Sequence, residues 1–348
     1  MKRSRYKRRK NPKFIAVVFT LLILITALTY LIGSKNNNMP PSETGTPTLP
    51  ATESTPPSTT SQTPTPDLSE TPTPPALDPN NVSTEDHGIL PITGTVEESG
   101  QMSLIKSKVE DYISGLDGKY GVSFIDLATG ESFGVNDRDS YVAASTSKLF
   151  MNLMLYTKME SGDIDPESIL KYTSADFEPG SGIIQNEPYG TEYTVRETSR
   201  LSIIYSDNCG INMIIRILGI EEICQYVLDL GGDIYYDRGH VTSPHDLTIV
   251  AQELYRLYLN NPDLYGELIY NLENTVWKDR IRAGVPDDVK VAHKIGNQTR
   301  VASDVGIVFG SHPFAIAIST RDVDETEARN NLAIITKMVY DEVEAYAK

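Results

Sequence analysis

The stretch Ala143-Ala144-Ser145-Thr146-Ser147-Lys148-Leu149-Phe150 sets a serine and a lysine three residues apart at the head of an apolar run that continues through Leu153 and Met154. At that spacing a hydroxyl and an amine share one helix face. A serine at a helix start also has unpaired backbone N–H groups beside it, which can stabilise an oxyanion. Together these make the minimum equipment of an acyl-transfer enzyme with lysine as its base. The same Ser-x-x-Lys spacing occurs at Ser4/Lys7, Ser103/Lys106 and Ser168/Lys171, so position in the fold has to decide among four matches.

The 348-residue chain carries a formal charge of −16, unevenly spread. Of its 31 basic residues, eight fall in the first thirteen positions, where there is no acid, which leaves 23 against all 47 acids in the rest. A body that acidic offers no basic face to phosphates and excludes nucleic acid as a partner. Phe14 to Gly33 is a run of 20 uncharged residues, long enough as a helix to span a bilayer core. The basic cluster ahead of it orients the amino terminus to the cytoplasm. A cleaved signal peptide is the alternative, but it would have a shorter apolar region ending in a small-residue cleavage site. The expected organisation is a cytoplasmic tail (1–13), a membrane signal anchor (14–33), a Pro/Thr/Ser-rich spacer (34–98) too poor in apolar residues for a core, and one folded domain (99–348).

Within that domain, Leu104, Ile105, Val109, Tyr112 and Ile113 mark a first helix, and Ser103/Lys106 belongs to its solvated surface. Gly121 to Leu127 and Ser132 to Val135 form a hairpin about Ala128-Thr129-Gly130-Glu131. Ser145 then opens a buried helix. Glu197 to Leu218 is helical but interrupted at Ser206-Asp207-Asn208. Glu221 to Leu230 is a helix stopped by Gly231-Gly232, and Ser243-Pro244 starts another. Two strands (Val305 to Phe309, Phe314 to Thr320) and a last amphipathic helix close the chain. Hairpin, helices, strands, helix is the order of an α+β (α/β/α) domain: one antiparallel sheet built from both ends, flanked by helices, with a helical subdomain inserted. Cys209 and Cys224 read as two small buried thiols, with one disulfide the alternative. His87, His245, His293 and His312 show no zinc spacing, and no cofactor motif is present.

Three boxes line up in order: Ser145-x-x-Lys148, Ser206-Asp207-Asn208 and His293-Lys294-Ile295-Gly296. In them the chain resembles the class A β-lactamase and penicillin-binding protein superfamily, with its β-lactamase/DD-peptidase-like fold. Gly180-Ser181-Gly182-Ile183, Tyr193-Thr194-Val195-Arg196-Glu197, Asn212, Thr242-Ser243-Pro244 and Asp279-Arg280-Ile281-Arg282-Ala283-Gly284-Val285-Pro286 are similar to family segments. The resemblance implies that Ser145 is the nucleophile, Lys148 its base and Ser206 the relay to the leaving nitrogen. It further implies that Asn208 bonds the substrate amide and Lys294 holds the substrate carboxylate. Gly296 and Asn297 would line the substrate strand, with the N–H groups of Ser145 and Asn297 as the oxyanion hole. The implied partner is a β-lactam or a peptidoglycan stem peptide, with the membrane engaged through residues 14–33.

Two features depart from the family. Ile295 stands where the strand box carries a hydroxyl, with Asn297 the residue that can compensate. The glutamate that activates water for deacylation has no counterpart in Asp233 to Val241. Asp233, Asp237 and His240 are the possible substitutes there, and Asn212 is left without its family loop partner. A non-catalytic wall-binding module with the same fold is the alternative function. The anchor predicts that the full-length protein stays in the membrane fraction through an alkaline wash; recovery of a soluble form starting near Ser34 overturns it.

Overall fold

The computed structural model describes residues 100–347, apart from 235 and 237–239. The tail, the apolar run and the spacer expected over residues 1–98 lie outside the described residues, as does Asp237. Among the described residues, no helix is long and apolar enough to cross a membrane.

The chain runs α1 (Gly100–Ser114), β1 (Lys119–Asp126), β2 (Ser132–Val135), β3 (Tyr141–Val142) and a 3-10 turn (Ala144–Ser147) that leads into α2 (Lys148–Glu160). A helical region follows: β4 (Ile169–Lys171), β5 (Glu192–Thr194), α3 (Val195–Ile204), α4 (Asn208–Leu218) and α5 (Ile220–Asp229). Next come β6 (Val241–Thr242), α6 (Pro244–Asn260) and α7 (Pro262–Glu273), before β7 (Lys290–Gln298), β8 (Val301–Phe309), β9 (Phe314–Arg321) and α8 (Glu325–Tyr346). The main sheet is antiparallel in the order β2-β1-β9-β8-β7. β9 pairs with β1 along its whole length, from Lys119 opposite Arg321 to Asp126 opposite Phe314. Both ends of the domain therefore share one sheet with the helical region inserted between them, as the order of elements predicts.

Strand alternation divides the core. On β9, Phe314, Ile316 and Ile318 point to one face, where Met102, Val109, Leu332, Val339 and Val343 of α1 and α8 meet them. Ala315 and Ala317 point to the other, beneath a core made by α2 to α7. The three central strands are buried on both faces and so read as continuous apolar runs. α7 is an element the sequence pattern did not announce, although Asn261 caps it and Pro262 occupies its first turn. Cys209 and Cys224 are buried free thiols. Ser168 and Lys171 lie at the two-stranded β4–β5 ribbon, exposed, with Lys171 paired to Glu192, and Ser103 is an exposed α1 residue.

The interruption between α3 and α4 is organised by Asp207, which is fully buried. As N-cap of α4 its carboxylate accepts from the Gly210 N–H at 2.9 Å, and it also accepts from Ile183 and Ile184 N–H at 2.6 and 2.8 Å. That ties the 180–184 loop to the start of α4. Gly182 sits at φ +108°, and a Cβ there would fall 2.2 Å from the Asp207 carboxyl carbon, so only glycine fits. Asp207→Ala leaves three buried or half-buried N–H groups without an acceptor. It should lower unfolding stability by about 2–4 kcal/mol in urea denaturation; a loss under about 1 kcal/mol contradicts this role.

Candidate active site

Ser145 is set by a left-handed residue. Ala144 adopts φ 44° directly before it, and the chain then closes a 3-10 turn with Thr146 N–H on Ala143 O at 3.1 Å and Ser147 Oγ on Ala144 O at 2.8 Å. Ser145 therefore lies in the turn ahead of α2, not in its first α-helical turn. In 3-10 geometry residues i and i+3 eclipse, which stacks Lys148 on Ser145 more directly than an α-helix would. The Lys148 amine donates to Ser145 Oγ at 3.1 Å.

The same amine lies 2.6 Å from Ser206 O, 3.2 Å from Ser206 Oγ and 2.8 Å from Asn208 Oδ1. Ser206 adopts φ 52°, a sparsely populated conformation for a side-chain-bearing residue; its carbonyl and hydroxyl both meet Lys148. Lys294, fully buried on β7, donates to Ser206 Oγ at 3.0 Å and to Ile295 O at 3.2 Å. One hydroxyl thus receives two amines. Burial pushes the Lys148 amine down to about 8, against the opposing pull of Asp207 and Glu178. Burial, and then the charge of Lys148, push Lys294 well below the usual lysine range. Five of the predicted residues (Ser145, Lys148, Ser206, Asn208, Lys294) are joined in one hydrogen-bonded set.

Gly296 is the reason β7 can lie against the serine turn: a Cβ there would stand 2.9 Å from Ala143 O and 3.0 Å from Thr146 Cγ2. Alternation puts Ile295 on the sheet face opposite Lys294, where it is buried. The exposed Asn297 does not stand alone. Arg280, wholly buried, donates to Asn297 Oδ1 at 2.6 Å and to Ser303 O at 2.8 Å, so the end of β7 carries a guanidinium. Nothing in the spacing of residues 279–297 announces that contact. Trp277, the chain's one tryptophan, places its ring 5.7 Å from the Lys294 amine. Asn152, one turn along α2, donates to Lys148 O at 2.8 Å and accepts from Ser199 Oγ at 2.6 Å, bracing α2 against α3.

On the other wall, Tyr236 is buried against Phe150 and stacks on His240, while its hydroxyl lies 3.4 Å from Ser147 Oγ. His240 is exposed, and its carbonyl accepts from Ala143 N–H at 2.8 Å. Asp233 is exposed and ion-paired with Arg138. Asp233, His245 and Asp246 bring ligand atoms within 4.8 Å of one another. The two carboxylates are used otherwise: Asp246 accepts from the Asp233 and Ile234 N–H groups and Asp233 pairs with Arg138, beside the positive end of α6, a poor place for a cation. Asn212, read from the sequence as lacking its family loop partner, has another. Its amide donates to Glu178 Oε2 at 3.0 Å, from a different loop.

A family model described as the beta-lactamase enzyme family matches residues 104–343. The chain belongs to that family. Among curated relatives, β-lactamase SME-1 of Serratia marcescens is 28% identical over 240 residues, covering 62% of this chain and 79% of that protein. The β-lactamase of Streptomyces albus G is 26% identical over 254 residues, covering 65% and 81%. Among solved structures, that of PBP-A superposes with a TM-score of 0.65 at 22% identity, covering 70% of this chain and 97% of that one. The β-lactamase of Sphaerobacter thermophilus gives 0.62 at 22% identity over 70% and 97%. The α+β fold expected from the three boxes is the fold of these proteins.

The amine can take a proton from Ser145 only in its neutral form, which near pH 7 is about a tenth of the population for a group titrating near 8. The rate at which an excess of a serine-directed acylating reagent modifies Ser145 should therefore climb about tenfold from pH 7 and level off above 8–9. A flat profile over that range removes Lys148 as the base.

Proposed function

We propose that this protein is a serine hydrolase acylated at Ser145 by β-lactams or by D-Ala-type cell-wall peptides, held at the outer face of a membrane by residues 14–33 with 34–98 as its spacer. The observation that carries the chemistry is the contact between a buried amine and the Ser145 hydroxyl at 3.1 Å. Lys148 takes the Ser145 proton as Oγ attacks the amide or lactam carbonyl. The proton then travels by way of Ser206, which bridges both lysines, to the nitrogen that leaves. Asn208 presents its amide to the substrate's own amide group.

Lys294 and Arg280 put two basic side chains around the end of β7, which suits a substrate carrying a carboxylate. β7 is also the edge strand of the sheet, so the side of its backbone turned away from β8 can pair with an extended peptide or its mimic. The names of the relatives favour β-lactams as ligands, and a PBP-A variant has been solved as an acyl-enzyme with penicillin G. The acidic body and the buried lysines leave nucleic acid without a basic face.

Incubating the domain with a fluorescent penicillin and reading intact mass tests the proposal. One adduct should form on the native protein and none on Ser145→Ala. Equal labelling of both proteins overturns it, and no adduct on either favours a ligand-binding module without chemistry.

A further inference from the structure

Water must be activated if an acyl group on Ser145 is to be released, and Lys148 is already engaged by four oxygens. Most of the described carboxylates on the segments that frame the serine are already engaged. Asp207 accepts from three backbone N–H groups. Asp176 is paired with Arg216 at 2.9 Å, Asp233 with Arg138, and Asp246 holds the turn before α6. Asp304 lies behind the sheet, holding His293 and the Ile281 N–H. Glu178 is exposed to water and, among the described residues, has no basic partner. Its one hydrogen-bond donor is the neutral amide of Asn212.

The position of Glu178 is built, not accidental. α4 holds its loop at successive points. Cys209 Sγ lies 3.5 Å from the Glu178 N–H and 3.6 Å from its carbonyl. Asn208 Nδ2 reaches Pro179 O at 3.4 Å and Asn212 Nδ2 reaches Asp176 O at 3.3 Å. Asn208 and Asn212 are one helical turn apart on the same face of α4. The first holds the Lys148 amine and the second holds the Glu178 carboxylate, so the two titratable groups stand side by side along one wall. The charge of Glu178 is among those that act on Lys148.

We infer that Glu178 is the general base that hydrolyses the acyl-enzyme, entering from the loop ahead of Ser206 and not from the segment after α5. A water molecule beside Asn212 gives its proton to Glu178 as its oxygen attacks the acyl carbon. The bond from that carbon to Ser145 Oγ breaks, its electron pair returns to Oγ, and the proton passes from Glu178 through Lys148 to Oγ. The acyl group gains hydroxyl, the serine regains hydrogen, and both bases end as they began. Asn212 is the positioning residue that aims the carboxylate.

This inference rests on acylation at Ser145, and one experiment separates the two. The domain is mixed with penicillin G, quenched at intervals and read by intact mass, for the native protein, Glu178→Gln, Glu178→Asp and His240→Gln. The native adduct should form and clear. In Glu178→Gln it should form and persist, with release slowed by about 10²–10⁴-fold and by far more than its formation; Glu178→Asp should recover part of the release rate. An exposed side chain with a merely structural part would not split the two steps. A native adduct that never clears, equal clearance in Glu178→Gln, or trapping in His240→Gln instead overturns the inference while leaving acylation intact. No adduct on the native protein removes both.

Discussion

A buried amine that, among the described residues, is held by neutral oxygens and not by a carboxylate is the constraint on which this site depends. Hydrating an ammonium is so favourable that removing the water usually costs the group its charge. Lys148 meets this with four neutral oxygens from three residues, which bond the amine without stabilising its charge as an ion pair would. Two backbone conformations that most residues avoid, at Ala144 and Ser206, belong to the same arrangement. One sets the turn that carries the hydroxyl; the other belongs to the residue whose carbonyl and hydroxyl both face the amine. Strain of this kind persists only where surrounding structure over-determines it. Here Asp207 on one side and the Asn152–Ser199 bridge on the other supply that support.

The second requirement is closeness between the sheet and the serine turn. Gly296 allows it by lacking a side chain, and the alanines of β9 allow α6 to sit low over the sheet. Lys294 can then reach Ser206 from the strand while Lys148 reaches it from the helix. Two amines converging on one hydroxyl favour a neutral partner on each, because each charge raises the cost of the other. The lost hydroxyl at Ile295 matters less than its place in the motif suggests. Its side chain belongs to the other face of the sheet, and the polar group at that end of the strand is Asn297 under the Arg280 guanidinium.

The parts legible in the sequence were those in which chemistry and spacing coincide locally. Ser145 and Lys148 fall within one turn, Ser206 to Asn208 form a contiguous cap, and the alternating strands at both ends of the domain predict a shared sheet. Even so, the serine turn is 3-10 and not α, a distinction no periodicity carries over four residues. Arg280 stood in a recognisable stretch, but its target on Asn297 depends on how the segment before β7 folds back. Glu178 was hidden more thoroughly, since an acidic residue in a polar loop looks like any solvated one. Its one trace was Asn212, an amide whose family loop partner was missing. α7 went unannounced because its start signal, Asn261-Pro262, follows α6 without a break in apolar content.

The pairing of β9 with β1 has a consequence in time. Val122 meets Ile318, so the strand that completes the sheet leaves the ribosome long after the serine turn does, and contacts of such separation form late. Lys294 reaches the Ser206 hydroxyl from β7, so the second of the two amines on that hydroxyl arrives only after that strand has been made. A chain that ended before β7 would carry Ser145, Lys148 and Ser206 without the lysine that meets them from the strand. The polar set around Ser206 is therefore complete only when the carboxyl-terminal strands are in place, which makes it a late sign that the whole domain has folded.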